Sequence, residues 1–322
     1  MAVSRKLQST DLPNRVSKFF ATRLASTDSL CIGLSGGCDS VVLLHILSQL
    51  GWADRLSVIH VHHGLSPNAD CWAAFCQNYC EQLSVPIEIQ RVEVALDSGK
   101  GLEAAARRAR YAAFSGLKVN NLALAQHRGD QAETVLFNLL RGAGVIGAAG
   151  MPQVRSFGHQ QIFRPLLDVS RQEIESYAVK YKLDWIEDES NQDIALSRNY
   201  LRHQVFPIIA QRFSIEQSLA QAAENFSEAV SLLDELAEQD WQLVHVGEAV
   251  KLTALRQLSV MRCKNLLRYR LRGLAWCVPS ATRLDEFVRQ LQTAAPDRHP
   301  ELILSEGRMY VAQGCLHWIA SK

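Results

Sequence analysis

Short runs of apolar, β-branched residues alternate with longer segments whose apolar positions recur at helical spacing. Residues 31–34, 56–61, 85–94 and 122–125 read as strands, and the stretches 41–47, 67–83, 101–117 and 127–140 between and after them read as helices. Ahead of the first strand, Val16, Phe19, Phe20 and Leu24 share one face of an amphipathic lead-in over 1–27. Ser170 and Glu173 form an S-x-x-E capping box that should open a helix running to about Lys182. Strands and helices alternating through 28–165 predict an α/β domain built on a doubly wound parallel sheet.

The pattern changes after about residue 217. Leu219, Ala222, Phe226, Val230, Leu233 and Leu236 mark an amphipathic helix that carries six acids and no base between Ser218 and Asp240. The next segment reverses the sign, with seven bases and no acid between Lys251 and Arg272. Residues 301–319 alternate like a hairpin turning near Glu306-Gly307, followed by a last strand. The expected division is therefore 1–217 for the main domain, 218–245 for a linker helix and 246–322 for a smaller C-terminal α+β domain. The length of 322 residues suits two domains. At 48% hydrophobic and 21% charged the chain reads as globular, and a net charge of +1 gives no bulk attraction to nucleic acid or membrane. The N-terminus lacks the apolar core of a signal peptide, the longest uncharged apolar run (41–53) is too short to span a bilayer, and eight scattered cysteines suit a reducing compartment. A cytoplasmic protein is the expectation.

The densest chemistry lies at Ser35-Gly36-Gly37-Cys38-Asp39-Ser40, between the first strand and the apolar helix. A glycine-bearing turn at a helix N-terminus offers backbone N–H groups to a phosphate, and Ser35 and Ser40 add hydroxyls. GxxxxGK[ST] is absent, and Gly33, Gly36 and Gly37 are wrongly spaced for GxGxxG. A carboxylate beside phosphates is repulsive unless a cation lies between them, so Asp39 implies Mg²⁺. Asp130 would stand at a neighbouring strand's carboxyl end, where it either shares that ion or, with Glu133, caps the next helix. His60, His62 and His63 lack cysteine or carboxylate partners at zinc spacing, and suit the lining of a nucleotide cleft better. Cys71, Cys76 and Cys80 lack CxxC spacing, and Cys76 and Cys80 fit core packing.

Further along, Glu103, Arg107, Arg110 and Tyr111 fall on one helix face. They form either a solvated face with a Glu–Arg pair or an arginine pair aimed into the cleft. Asp188, Ser190, Asn191, Asp193, Arg198, Asn199 and Arg202 crowd a polar segment beside the apolar anchor Val205-Phe206. The basic run from Lys251 to Arg272 is either a solvated face or an RNA-backbone contact.

The SGGCDS loop resembles the PP-motif of the N-type ATP pyrophosphatases, whose domain is adenine nucleotide alpha hydrolase-like. Together with VIHVHHGLS, GLEAAARRARYAAF, AQHRGDQAETVLFNLLRGAG, RPLLDVSRQEI and WIEDESNQDIALSRNYLRHQVFP, it is similar to the tRNA(Ile)-lysidine synthase family over most of the chain. The small domain resembles that family's first C-terminal domain. The resemblance implies ATP and Mg²⁺ as cofactors, free lysine and tRNA(Ile) with a CAU anticodon as partners, and no membrane, with a homodimer as a further expectation. It implies a catalytic set of Asp39, Asp130, Arg107 and Arg202, a nucleotide loop from Ser35 to Ser40, and metal ligands Asp39 and Asp130. Substrate or tRNA contacts would come from Arg110, Asp188, Asn191, Arg198, Asn199, Arg262, Arg268 and Arg272. The implied reaction adenylates O2 of the wobble cytidine and then displaces AMP with the lysine amine. Alternatives are a tRNA-thiolating relative and a small-molecule amidating synthetase. The absence of CxxC speaks against cysteine-pair thiolases, and the basic run speaks against the synthetase. Two departures stand out: Gly129 occupies the first of two positions where the family usually has adjacent aspartates, and a further C-terminal domain of longer members is not expected here.

Overall fold

The computed structural model describes residues 11–95, 101–295 and 298–321. It divides into two compact units, residues 1–226 and 227–322. The division falls inside a 30-residue helix, Ile215–Val244.

In the first unit, helix α1 (Leu12–Ala21) precedes strand β1 (Leu30–Gly33) and helix α2 (Cys38–Leu47). Then come β2 (Leu56–His62), α3 (Ala69–Gln82), β3 (Ile87–Arg91), α4 (Leu102–Ser115), β4 (Asn121–Ala123) and α5 (Arg128–Leu140). A short turn α6 (Val145–Ala148) leads to the hairpin β5 (Val154–Phe157) and β6 (Gln160–Phe163). Helices α7 (Arg171–Tyr181), α8 (Ser197–Tyr200), α9 (Phe206–Ala210) and α10 (Ile215–Val244) follow. The strand order is β3-β2-β1-β4-β6-β5, parallel throughout except for the edge strand β5.

Alternation along β1 explains the layering. Leu30, Ile32 and Leu34 face a core shared with α1, α2, α3 and α7, while Cys31 faces a second core with Phe114 and Leu117 of the α4 side. Helix α2 is apolar on all sides because it is enclosed: Val41, Val42, Leu43, Leu44, Ile46 and Leu47 have no exposed surface. Cys76 and Cys80 lie in that same core, where burial pushes both thiols up to about 12 and leaves them inert. The chain reverses its lateral direction between β1 and β4, and their carboxyl ends frame a crevice.

The second unit holds strands β7 (His245–Val246) and β8 (Ala249–Lys251), turn α11 (Leu252–Leu255), helices α12 (Val260–Gly273) and α13 (Ala281–Thr293), and strands β9 (Glu301–Ile303), β10 (Gly307–Ala312) and β11 (Cys315–Ala320). The strands form one antiparallel sheet, β7-β8-β11-β10-β9, and its inward residues Val250, Leu302, Met309, Val311 and Leu316 pack on Leu267, Leu284 and Phe287. The expected hairpin over 301–319 and its following strand are observed as three successive antiparallel strands.

Gly307 opens β10 where no side chain fits. A Cβ there would overlap the Ile319 carbonyl oxygen and stand 2.7 Å from Cζ2 of Trp276. Gly307→Ala is expected to destabilise this unit by about 2 kcal/mol, as overpacking does. Denaturant titration followed by tryptophan fluorescence reads that loss, and an unchanged midpoint would contradict the packing described.

Candidate active site

The loop between β1 and α2 is shaped by its own hydroxyls. Ser40 is buried; its Oγ donates to the Gly37 carbonyl at 2.9 Å and accepts from the Ser35 amide at 3.2 Å. Ser35 Oγ accepts from the Gly37 amide at 3.3 Å. Ser40 therefore sets the turn and is not a free donor to a ligand, which corrects the simplest sequence reading. Gly36 takes φ +86°, a region closed to most side chains, and its carbonyl accepts from the Ile186 amide at 2.9 Å. Gly37 stands at the N-cap of α2 without a side-chain cap, and among the described residues no hydrogen bond occupies the amides of Gly36, Cys38 and Asp39. These amides suit an anion at the positive end of the helix.

Asp39 follows immediately. Both of its carboxylate oxygens accept from Nη1 of Arg171, at 2.8 and 2.7 Å. Burial raises its carboxyl pKa, His127 and Arg171 pull it back, and Asp130 adds to the rise. Arg171 sits at the first position of α7, where a cation opposes the helix dipole. That misplacement is the one sequence signal of its role, and sequence reasoning passed over it.

Across the crevice, His127 caps α5. Its Nδ1 accepts from the Gly129 amide at 2.9 Å, while Asp130 Oδ2 accepts from the His127 amide at 3.0 Å. Accepting at Nδ1 puts the proton of the neutral ring on Nε2. That nitrogen lies 4.0 Å from Asp39 and 3.7 Å from Asp130. Gly129 makes the arrangement possible, because a Cβ there would come within 2.7 Å of His127 Cε1. The departure from the adjacent-aspartate pattern is thus tied to how the histidine folds back over the helix start.

Asp130 caps the helix with one oxygen, and its Oδ1 lies 3.5 Å from Arg202. Glu133 is not a cap. Its buried carboxylate accepts from Arg202 Nε at 2.6 Å and Nη2 at 2.9 Å. Asp39 and Asp130 converge on one histidine nitrogen, and two carboxylates suit a Mg²⁺ whose remaining ligands are phosphates and water. Among the described residues there is no group of three or more His, Cys, Asp or Glu able to cage a metal alone. The donor set therefore fits an ion that arrives with nucleotide phosphates.

The remaining expected residues separate by what they touch. Arg107 lies with its guanidinium 4.9 Å from the Tyr111 ring and donates to that hydroxyl at 3.3 Å. Glu103 pairs instead with Arg198 at 3.1 Å, so the Glu103–Arg107 pair on one helix does not form. Arg110 approaches His63 at 3.4 Å. His60 is buried against the Leu34 carbonyl, and His62 lies 3.1 Å from Asp70, so the three histidines do not converge on a metal. Burial and Arg110 push His63 down to about 4. Asp188 accepts from the Ser190 amide at 2.9 Å, and Asn191 lends its carbonyl to His203 at 2.8 Å. Asn199 is buried and donates to the carbonyls of Ser190 and Asp193, so its amide nitrogen pins the polar loop.

In the second unit the basic run is not a bare cationic face. Arg262 pairs with the buried Asp240, Arg272 with Asp234, and Arg270 with Glu248 while stacking 3.7 Å over Trp241. The acids of α10 supply two of these partners. Arg268 has no ion pair among the described residues.

Removing Arg202 would strand Glu133 as a buried carboxylate, at a cost of about 3–5 kcal/mol near pH 7. Burial already raises the Glu133 pKa against the pull of Arg202. Arg202→Met would raise it further above its unfolded value, so the folded state binds the proton more tightly. The stability lost at pH 7 should then return in part as pH falls towards 5. Denaturant titrations at both pH values test this, with Arg202→Met/Glu133→Gln as the neutral control. A pH-independent deficit in the single variant would remove Glu133 as its source.

Residues 8–209 match the PP-loop domain family, and residues 251–317 match the TilS substrate binding domain. A tRNA(Ile)-lysidine synthase of Nitrosomonas europaea is 39% identical over 325 residues, spanning 99% of this chain and 71% of that protein. One from Pseudomonas fluorescens is 42% identical, spanning 98% of this chain and 73% of that protein. A U34-tRNA thiolase from Methanococcus maripaludis shares the fold at 18% identity, with a TM-score of 0.55 over 67% of this chain and 78% of its own. Two domain matches and identity near two-fifths over almost the whole length settle the kinship: the chain belongs to the tRNA(Ile)-lysidine synthase family.

Proposed function

We propose that this chain joins lysine to C2 of the wobble cytidine in tRNA(Ile) with a CAU anticodon, converting ATP to AMP and pyrophosphate. The observation that carries the reading is the convergence of Asp39 and Asp130 from the two strand ends of the crevice, beside amides at the start of α2 that make no hydrogen bond among the described residues. The same reading gives 1–217 the catalytic role and 246–322 a tRNA-binding role, with 218–245 between them. Mg²⁺ held by Asp39 and Asp130 would neutralise charge building on the phosphates.

The amides of Gly36, Cys38 and Asp39 hold phosphate oxygens at the positive end of α2. O2 of the cytidine attacks the α-phosphorus, and pyrophosphate leaves. The oxygen now carries AMP and leaves with it when the lysine amine forms its bond to C2, with the amine proton passing to solvent or a carboxylate. Arg107 and Arg202 supply positive charge to the crevice, and Arg171 can release Asp39 because its own side chain is two-fifths exposed at 41%. The adenylated base must be kept from water between the two steps. Free lysine as substrate, a cytoplasmic location and a homodimer complete the reading. No helix among the described residues is long and apolar enough to cross a membrane.

With labelled ATP, the products should be AMP and pyrophosphate, and full turnover should need both tRNA and lysine. Without lysine, tRNA(Ile) with a wobble cytidine should still release some pyrophosphate. Without tRNA, or with uridine at that position, release should stop. ADP as product, or lysine-dependent pyrophosphate exchange without tRNA, would overturn the reading. Asp39→Ala should reduce turnover at least about a hundredfold, a loss on the scale of one preorganised electrostatic contact. Near-wild-type turnover in that variant would remove Asp39 from the reaction.

A further inference from the structure

We propose that Gln126 presents its side-chain amide to an oxyanion of a substrate, with the buried Arg164 as the residue that positions it. Arg164 is 1% exposed and forms no ion pair with a carboxylate among the described residues. Such an uncompensated guanidinium is costly to bury and needs every donor matched. Its Nε donates to Gln126 Oε1 at 2.9 Å and its Nη1 donates to the Pro152 carbonyl at 2.8 Å, with Tyr111 close beside it.

A guanidinium has donors only, so the end of Gln126 that meets it must be the carbonyl. The amide orientation is therefore fixed by chemistry, and Nε2 is the outward end. Nε2 has no hydrogen-bond partner among the described residues, and Gln126 is half-buried. Gln126 lies beyond β4, immediately before His127, and so at the crevice that holds Asp39 and Asp130. The Tyr111 hydroxyl accepts from Arg107, which has no acidic partner among the described residues. The outward end of Gln126 and the guanidinium of Arg107 thus offer donors alone on this wall. A donor-only wall beside a buried positive charge recognises a carboxylate or a phosphate. The amino-acid substrate supplies the first, and ATP or the RNA backbone the second.

The inference rests on the reaction proposed above, so wild-type lysidine formation is established first by nucleoside mass analysis. Gln126→Glu then keeps an acceptor for Arg164 and replaces the outward donor with an acceptor. Its thermal midpoint should stay at or above wild type, while the KM of one substrate rises at least about tenfold, as for a lost hydrogen bond to a charged group. KM is measured separately for lysine, ATP and tRNA. A rise for lysine identifies the carboxylate, and a rise for ATP or tRNA identifies a phosphate. Arg164→Lys retains the charge, loses the pin on Gln126 and should raise the same constant. Wild-type values for all three substrates in both variants would overturn the inference while leaving the reaction intact. If Arg164→Lys fails to fold, the Gln126→Glu constants alone decide.

Discussion

Two carboxylates facing one crevice repel each other unless cations lie against them, and the first unit is arranged around that requirement. Asp39 leans on Arg171, Asp130 on Arg202, and the His127 ring stands between them with its Nε2 edge towards both. Asp39 stands at the start of α2, Arg171 at the start of α7, His127 and Asp130 together at the start of α5, and Arg202 beyond α8, so the balance exists only once the parallel sheet has brought β1 and β4 side by side. The pair between the buried Glu133 and the half-exposed Arg202 extends the same network one helical turn along α5. Nucleotide phosphates would meet this network as further anions, and a divalent cation between them and the two carboxylates would relieve the repulsion.

The part of this arrangement carried by local pattern was legible in the sequence. An apolar run, two adjacent glycines and an apolar helix announce the β1–α2 loop, and the capping box at Ser170 and Glu173 is observed with both reciprocal hydrogen bonds. Alternation predicted the doubly wound sheet. The third strand is shorter than its apolar stretch suggests, Ile87–Arg91, and the β5–β6 hairpin went unread because it is short, half polar and at a sheet edge.

What depends on tertiary partners was not legible. Nothing in the Lys251–Arg272 run reveals that Arg262 and Arg272 meet acids on α10. Asn199 reads as a site residue by composition, yet its amide is used on two backbone carbonyls. Arg171 and Arg164 carry the opposite lesson, because neither stands in a polar cluster and both hold a side chain of the crevice in place. Gly129 shows how one absent side chain changes a neighbour: without a Cβ, the His127 ring can accept the helix's free amide and turn Nε2 to the carboxylates.

The central claim is that Asp39 and Asp130 act jointly on one divalent cation together with nucleotide phosphates. Electron paramagnetic resonance of Mn²⁺, titrated in the presence of an ATP analogue that cannot be cleaved between the α- and β-phosphates, measures this directly. The account predicts one tightly held ion in the wild type, weakened in both Asp39→Asn and Asp130→Asn, and weakened without the analogue. An ion bound equally well by either variant would contradict it.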